Sequence, residues 1–166
     1  MVYKNFDLKN RPIKVQKIIT VRFFLPARNQ TLICCDGASR GNPGVAGYGF
    51  VCRDDQGGFI YAEAKGLGIA TNYIDEIIAI AGASEWAIHN NKLDICINSY
   101  SKAAVRWRRI KELLSNIQFV HSMREINFSI DSMAKKGAGL ERGEIIRFNI
   151  KPAFIHALES PEKIYY

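Results

Sequence analysis

The order of its elements constrains this chain more than any single residue does. Between Thr31 and Lys65 three apolar runs are separated by two turn-rich segments. Beyond Asn72, helix-length amphipathic stretches alternate with short apolar runs. Thr31–Cys35 reads as a strand ending at Asp36, Gly37–Gly44 as a turn-rich segment, and Ala46–Arg53 as a second strand. The DDQGG sequence at Asp54–Gly58 is a hairpin signal and predicts a third strand at Phe59–Lys65. Asn72 is placed to cap a helix running to Asn90. Leu93–Ile97 follows as a strand, Ser101–Ser115 as an Arg-rich amphipathic helix, and Ile117–His121 as a further strand. Phe128–Lys136 reads as a short helix stopped by Gly137. Three meandering strands followed by alternating helix and strand predict an α/β chain: a mixed five-stranded sheet, three strands antiparallel and two parallel, with helices packed on it.

At 166 residues the chain is long enough to bury roughly two-thirds of its unfolded surface, so one domain is expected to fold without covalent staples. Residues 1–30 read as a basic N-terminal arm, 31–139 as the domain, and 140–166 as an irregular C-terminal extension containing Pro152 and Pro161. No run approaches the roughly 20 apolar residues of a membrane span, so a soluble protein without a membrane partner is expected. The net charge of +7 is unevenly spread. Residues 1–30 carry seven bases and one acid, 31–100 four bases and eight acids, and 101–166 twelve bases and seven acids. Basic ends flanking an acidic middle point to a polyanion partner and to a reason for gathering carboxylates. Cys34, Cys35, Cys52 and Cys96 each sit in an apolar run without metal-binding spacing, as buried thiols of a reducing compartment do. The first 30 residues lack the apolar core of a secretory signal; a targeting segment and a nucleic-acid-binding arm both fit their basic composition.

Four positions stand out in the acidic middle and beyond it. Asp36 precedes a glycine at the end of a strand, where a turn former and a functional acid look alike. Glu76 lies in Ile74–Ala81, a helical stretch apolar almost all round, where an ionised carboxylate is costly unless paired or bound to a metal. Its neighbour Asp75 is expected to be solvated. Asn98 ends the strand Leu93–Ile97, a common place for a turn former or cap. Asp131 falls where the macrodipole favours an acid in a helix's first turn. His89 and His156 read as surface or structural residues, and His121 as a packing residue.

With their neighbours, these positions form an ordered set. Asp36-Gly37-Ala38-Ser39-Arg40-Gly41-Asn42-Pro43-Gly44 with Ala46-Gly47-Tyr48-Gly49 resembles the opening strand and turn of the ribonuclease H family. Thr71-Asn72 with Glu76 resembles its first-helix motif. Asn98-Ser99 sits where the family carries Asp-Ser, and His121, Arg124-Glu125, Asn127, Asp131 and Ala134 resemble its closing motif. The wording is similar to the plant and retroelement-related branch, and the resemblance covers residues 31–140. It implies a ribonuclease H-like fold in which four carboxylates hold two Mg²⁺ ions and cut the RNA strand of an RNA–DNA hybrid. Carried over, the catalytic positions are Asp36, Glu76, Asn98 and Asp131, and the metal ligands Asp36, Glu76 and Asp131.

Asn98 breaks this pattern. An amide offers one neutral oxygen, and its NH₂ repels a cation. Asp94 lies four residues back, roughly 13 Å along a strand, too far to replace the missing ligand. The resemblance with this substitution implies a degenerate nuclease with weak or lost Mg²⁺ binding. The alternative is an active hybrid endoribonuclease, or one carrying an engineered Asp-to-Asn change; the departures at Tyr73, Asp75 and Ile130 favour natural divergence. In the family the turn at Arg40, Gly41 and Asn42 contacts RNA 2′-hydroxyls. Lys102, Arg106 and Arg109 share one face of the Ser101–Ser115 helix and offer a phosphate-contacting surface, although such a run also serves as a plain solvated face. The expected partners are RNA or RNA–DNA hybrid, with ribosomal RNA and proteins of a large ribonucleoprotein such as an organellar ribosome by analogy. Mitochondrion and nucleus both remain open as locations, and a transposon remnant without selected function is a third reading.

Overall fold

The structure, a computed structural model, describes residues 19–99 and 116–166. Residues 1–18 and the Ser101–Ser115 segment, with Lys102, Arg106 and Arg109, lie outside the described residues. The elements are β1 (Val21–Arg22), β2 (Thr31–Gly41), β3 (Gly44–Arg53), β4 (Phe59–Ala70), α1 (Asn72–His89), β5 (Asp94–Ser99), β6 (Asn116–His121), a 3₁₀ turn (Arg124–Ile126), α2 (Phe128–Ala138), β7 (Ile145–Phe148) and β8 (Ile164–Tyr165). The main sheet runs β6-β5-β2-β3-β4-β7. The β2–β3–β4 meander is antiparallel, and β5 and β6 are parallel to β2, as the sequence predicts. A sixth strand comes from the extension read as irregular: Ile145–Phe148 pairs antiparallel with Ala62–Lys65. Its IIRF sequence is too short to show a strand period until β4 offers an edge.

Three local expectations change. The first strand does not end at Asp36: its pairing with β3 continues to Gly41↔Gly44, leaving only Asn42 and Pro43 between the strands. On its other side β5 pairs with Thr31–Cys34, so from Asp36 onward β3 is the strand partner of β2 among the described residues. The helix cap is Thr71 rather than Asn72, with Thr71 Oγ1 accepting from the Ile74 N–H. Gly137 does not stop α2, which runs on to Ala138 with Gly139 as its cap. Gly137 is instead a contact point: a Cβ there would collide with the Tyr48 main chain, and one at Gly47 with the main chain of Gly137.

Alternation sorts the core onto the two faces of the sheet. Ile33, Cys35, Phe50 and Ile97 face α1, with Ala79 and Ile80 of that helix. Leu32, Cys34, Val51 and Ala62 face the other way, towards Ile130 and Met133 of α2. All four cysteines are free and buried, and burial pushes the Cys96 thiol up to about 11 and the others further still. The chain's ends join this second layer. Val21–Arg22 pairs with Ile164–Tyr165, and Phe23 and Ile155 are buried beside Leu32. Contacts of the core therefore reach into both the segment read as an arm and the extension. Among the described residues no helix is long and apolar enough to cross a membrane.

Candidate functional site

Strand register decides which side chains can meet. Asn98 pairs with Cys34, two residues before Asp36, so by alternation Asp36 and Asn98 share the sheet face on which α2 packs. Asp131 comes from α2 itself. Glu76 comes from the first turns of α1, on the opposite face. That helix meets β2 most tightly at Gly37, where a Cβ would collide with the Asp75 carboxylate.

A cleft of about 480 Å³ opens where these ends converge. Its charged walls are Arg40, Asp75, Glu76, Arg124, Asp131 and Lys135, with the β2 main chain at Gly37–Ser39 completing it. Glu76, Asp131 and Arg40 thus share one cleft. Asp36, 2% exposed, and Asn98, 4% exposed, do not form its walls. Asn98 lines a separate cavity of about 280 Å³, shared with Phe24, Leu25, Cys96, Gln118 and Val120. Its Oδ1 accepts no hydrogen bond.

The hairpin tip is tied to the helix. Asn42 Oδ1 accepts from the Asn72 N–H at 3.3 Å, Ser39 Oγ donates to the Gly41 carbonyl, and Gly41 has a φ of 118° that favours glycine. Gly41 and Asn42 are exposed on that tip, beside the cleft wall at Arg40. Ahead of α2, Asn127 is buried and donates from Nδ2 to Ser122 Oγ at 2.6 Å, which anchors the turn that carries Arg124.

Two features of the cleft differ from expectation. Asp75 is 1% exposed rather than solvated, because the close approach of α1 to Gly37 drives it into the wall. Neither of its oxygens accepts a well-formed hydrogen bond. Burial pushes its carboxyl up to about 6; the Glu76 N–H pulls the other way, and the Glu76 charge adds to the rise. Lys135 Nζ holds Asp131 Oδ2 at 2.5 Å, one helical turn on. That pair was legible in the i, i+4 spacing; the burial of Asp75 had no sequence signal. His121, expected to pack, is exposed at the end of β6, an edge strand among the described residues; His89 and His156 are exposed as expected.

Mg²⁺ requires hard oxygens in near-octahedral array. Among the described residues no three His, Cys, Asp or Glu side chains gather to hold a metal ion. Asp131 is engaged by Lys135, and Asn98 contributes a neutral amide to a different cavity. Glu76 and Asp131 offer hard oxygens to the cleft, whereas Asn98 offers a neutral amide outside it. The cleft sets Arg40, Arg124 and Lys135 against Asp75, Glu76 and Asp131.

No family profile matches the chain. A curated protein, ribonuclease HI of Streptomyces coelicolor, is 45% identical over 53 residues, 32% of this chain. That match spans 23% of the relative's length. Among solved structures, RNase H1 from the halophilic archaeon Halobacterium salinarum superimposes with a TM-score of 0.62 at 26% identity, covering 66% of this chain and 98% of that one. LC11-RNase H1, solved in complex with an RNA/DNA hybrid, superimposes with a TM-score of 0.59 at 25% identity, covering 66% and 97%.

Proposed function

We propose that this chain, which has the ribonuclease H-like fold, binds RNA or RNA–DNA hybrid along the cleft and has lost most of the cutting reaction. One feature of the cleft carries this. Glu76 and Asp131 share it with Arg40, Arg124 and Lys135, while the position where the family carries an acid, Asn98, holds a neutral amide that lines another cavity. Charge neutralisation of phosphates survives the loss of a metal ligand, whereas two-ion hydrolysis does not. The same cations suit an RNA-binding or structural component of a ribonucleoprotein of the organellar-ribosome kind. A plant-type origin, with a mitochondrial or nuclear location, belongs to this reading.

Hydrolysis of an RNA–DNA hybrid in Mg²⁺, compared between the parent and Asn98→Asp, tests the loss of cutting. The expected result is tight binding with little cleavage by the parent, and roughly tenfold or more gain on restoring the carboxylate, the scale of changes around metal ligands. Strong Mg²⁺-dependent cleavage by the parent would establish the competing reading, an active hybrid nuclease. The local 45% identity to a protein named ribonuclease HI favours that reading. Stable sedimentation with a large RNA particle is expected of a ribonucleoprotein component; a free monomer without RNA affinity would remove that part of the proposal.

A further inference from the structure

The cavity at Asn98 belongs to no element of the cleft. Among the described elements, helix α2 packs chiefly on β2, β3 and β4. On those two strands Cys96, Asn98, Gln118 and Val120 share one face by register, Cys96 opposite Gln118 and Asn98 opposite Val120. Among the described residues, the segment Phe24–Ala27 lines this face, and a cavity of about 280 Å³ lies against it. Its walls are of two kinds. Leu25, Leu32 and Val120 are apolar, while Asn98 and Gln118 present amides.

Two details call for a ligand rather than a packing gap. The Asn98 side-chain oxygen, Oδ1, is buried and accepts no hydrogen bond, a costly state that native interiors keep rare. Phe24, which lines the same cavity, is 74% exposed. A flat aromatic face at an apolar slot, with an unused amide acceptor inside and a second amide beside it, suits a planar ring whose edge carries N–H donors.

We infer that this cavity is a nucleobase pocket: Phe24 stacks on the ring, and Asn98, with Gln118, reads a base edge that presents an N–H donor. The inference rests on the nucleic-acid reading above. Side-chain amides pair naturally with the amine and ring nitrogen of adenine, which makes adenine the base best matched. Location supports it. Asn98 is level with Cys34 on the neighbouring strand, so the pocket lies about 7 Å along β2 from Asp36, on the same sheet face. A strand held by its phosphates in the cleft can place a base there. Asn98 then has a positive role, as an acceptor that a carboxylate would make into a buried charge.

The test compares two 5′-fluorescein-labelled single-stranded oligoribonucleotides of equal length and charge, one an oligoadenylate and one abasic at the central positions. Binding to the full chain is measured by fluorescence anisotropy. The expected result is that the abasic strand binds roughly tenfold more weakly, the scale of one stacked base. Phe24→Ala, at an exposed position that leaves the fold intact, and Asn98→Leu, which removes the acceptor, are each expected to erase that difference. Equal binding of the two strands would overturn the pocket while leaving the nucleic-acid reading in place. A base-dependent difference that survives both substitutions would also overturn it, placing base contact elsewhere. Binding of neither strand would overturn both.

Discussion

Glu159 is the residue whose loss should cost this fold most for its size. It is 1% exposed, in a segment without regular structure near the chain's end. Its carboxylate accepts from the Ser129 N–H and the Ser129 hydroxyl, both at 2.8 Å, and so caps the first turn of α2. Arg53 Nη1 stands 3.5 Å from it, a charge contact too long for a hydrogen bond. Arg53 is itself buried, donating to the carbonyls of Gly57 and Glu159 and lying 4.9 Å from the centre of the Phe23 ring. Glu159→Ala removes two hydrogen bonds to a charged acceptor and leaves a buried guanidinium without its counter-charge. Breaking a buried pair from one side costs about 3–5 kcal/mol, out of a total stability of about 5–15. For a chain of this size that is a fall in Tm of roughly 6–20 °C. Glu159→Gln keeps an acceptor for Ser129 but not the charge and should lose about half as much. The double variant Arg53→Met/Glu159→Leu removes both charges and should be more stable than Glu159→Ala alone, with a coupling of about 1 kcal/mol or more. Urea unfolding followed by tryptophan fluorescence measures the parent, Glu159→Ala, Glu159→Gln, the double variant and its two single substitutions, Arg53→Met and Glu159→Leu, with Trp86 stacked on Tyr61 as a core reporter. A loss below about 1 kcal/mol for Glu159→Ala, or strictly additive effects in the double variant, would refute the reasoning.

Asp75 makes a prediction about pH. Its carboxyl is raised from 3.8 to about 6 on folding, so its ionisation opposes the fold: the stability it contributes is full below pH 3.8 and is lost as pH rises through 6. Asp75→Asn should therefore gain on the parent by up to about 3 kcal/mol between pH 4 and pH 7.5. Parallel stability curves for the two proteins would rule this out. Gly47→Ala should destabilise by about 1–3 kcal/mol, because its methyl meets the Gly137 main chain and α2 must shift; a neutral effect on urea midpoint would contradict that contact. Removing residues 1–18, which carry five bases and one acid, should lower the slope of log affinity for RNA against log salt by about 1 or more. Ending the deletion there spares Val21, Arg22 and Phe23, which pack in the fold, and an unchanged slope would deny the arm a part in binding.

Where sequence and structure agree, the signals are short-range. The DDQGG turn, the strand parities of Thr31–Cys35 and Ala46–Arg53, and the apolar face of α1 each draw on neighbours within one turn or hairpin. They survive because burying an apolar stripe leaves few alternatives. Gly137 shows the limit of such signals. A glycine near a helix end usually marks its stop, but here it lets two backbones touch across layers. Only the position of Tyr48 on the far strand distinguishes the two uses.

The sequence by itself determined the α/β meander, its parallel additions and the set of candidate acids, because periodicity and turn chemistry act through adjacent residues. The tertiary structure alone decided which acids are desolvated and which side chains share a cavity. Asp75 was driven into a wall by the approach of α1 to Gly37. Asn98, level with Cys34 on the next strand, was assigned to a cavity beside the cleft. Residues 140–166 acquired an edge strand and a buried carboxylate only once β4, Arg53 and Ser129 were in place to meet them. Desolvation and counter-charge come from residues distant in sequence, and no local pattern encodes them.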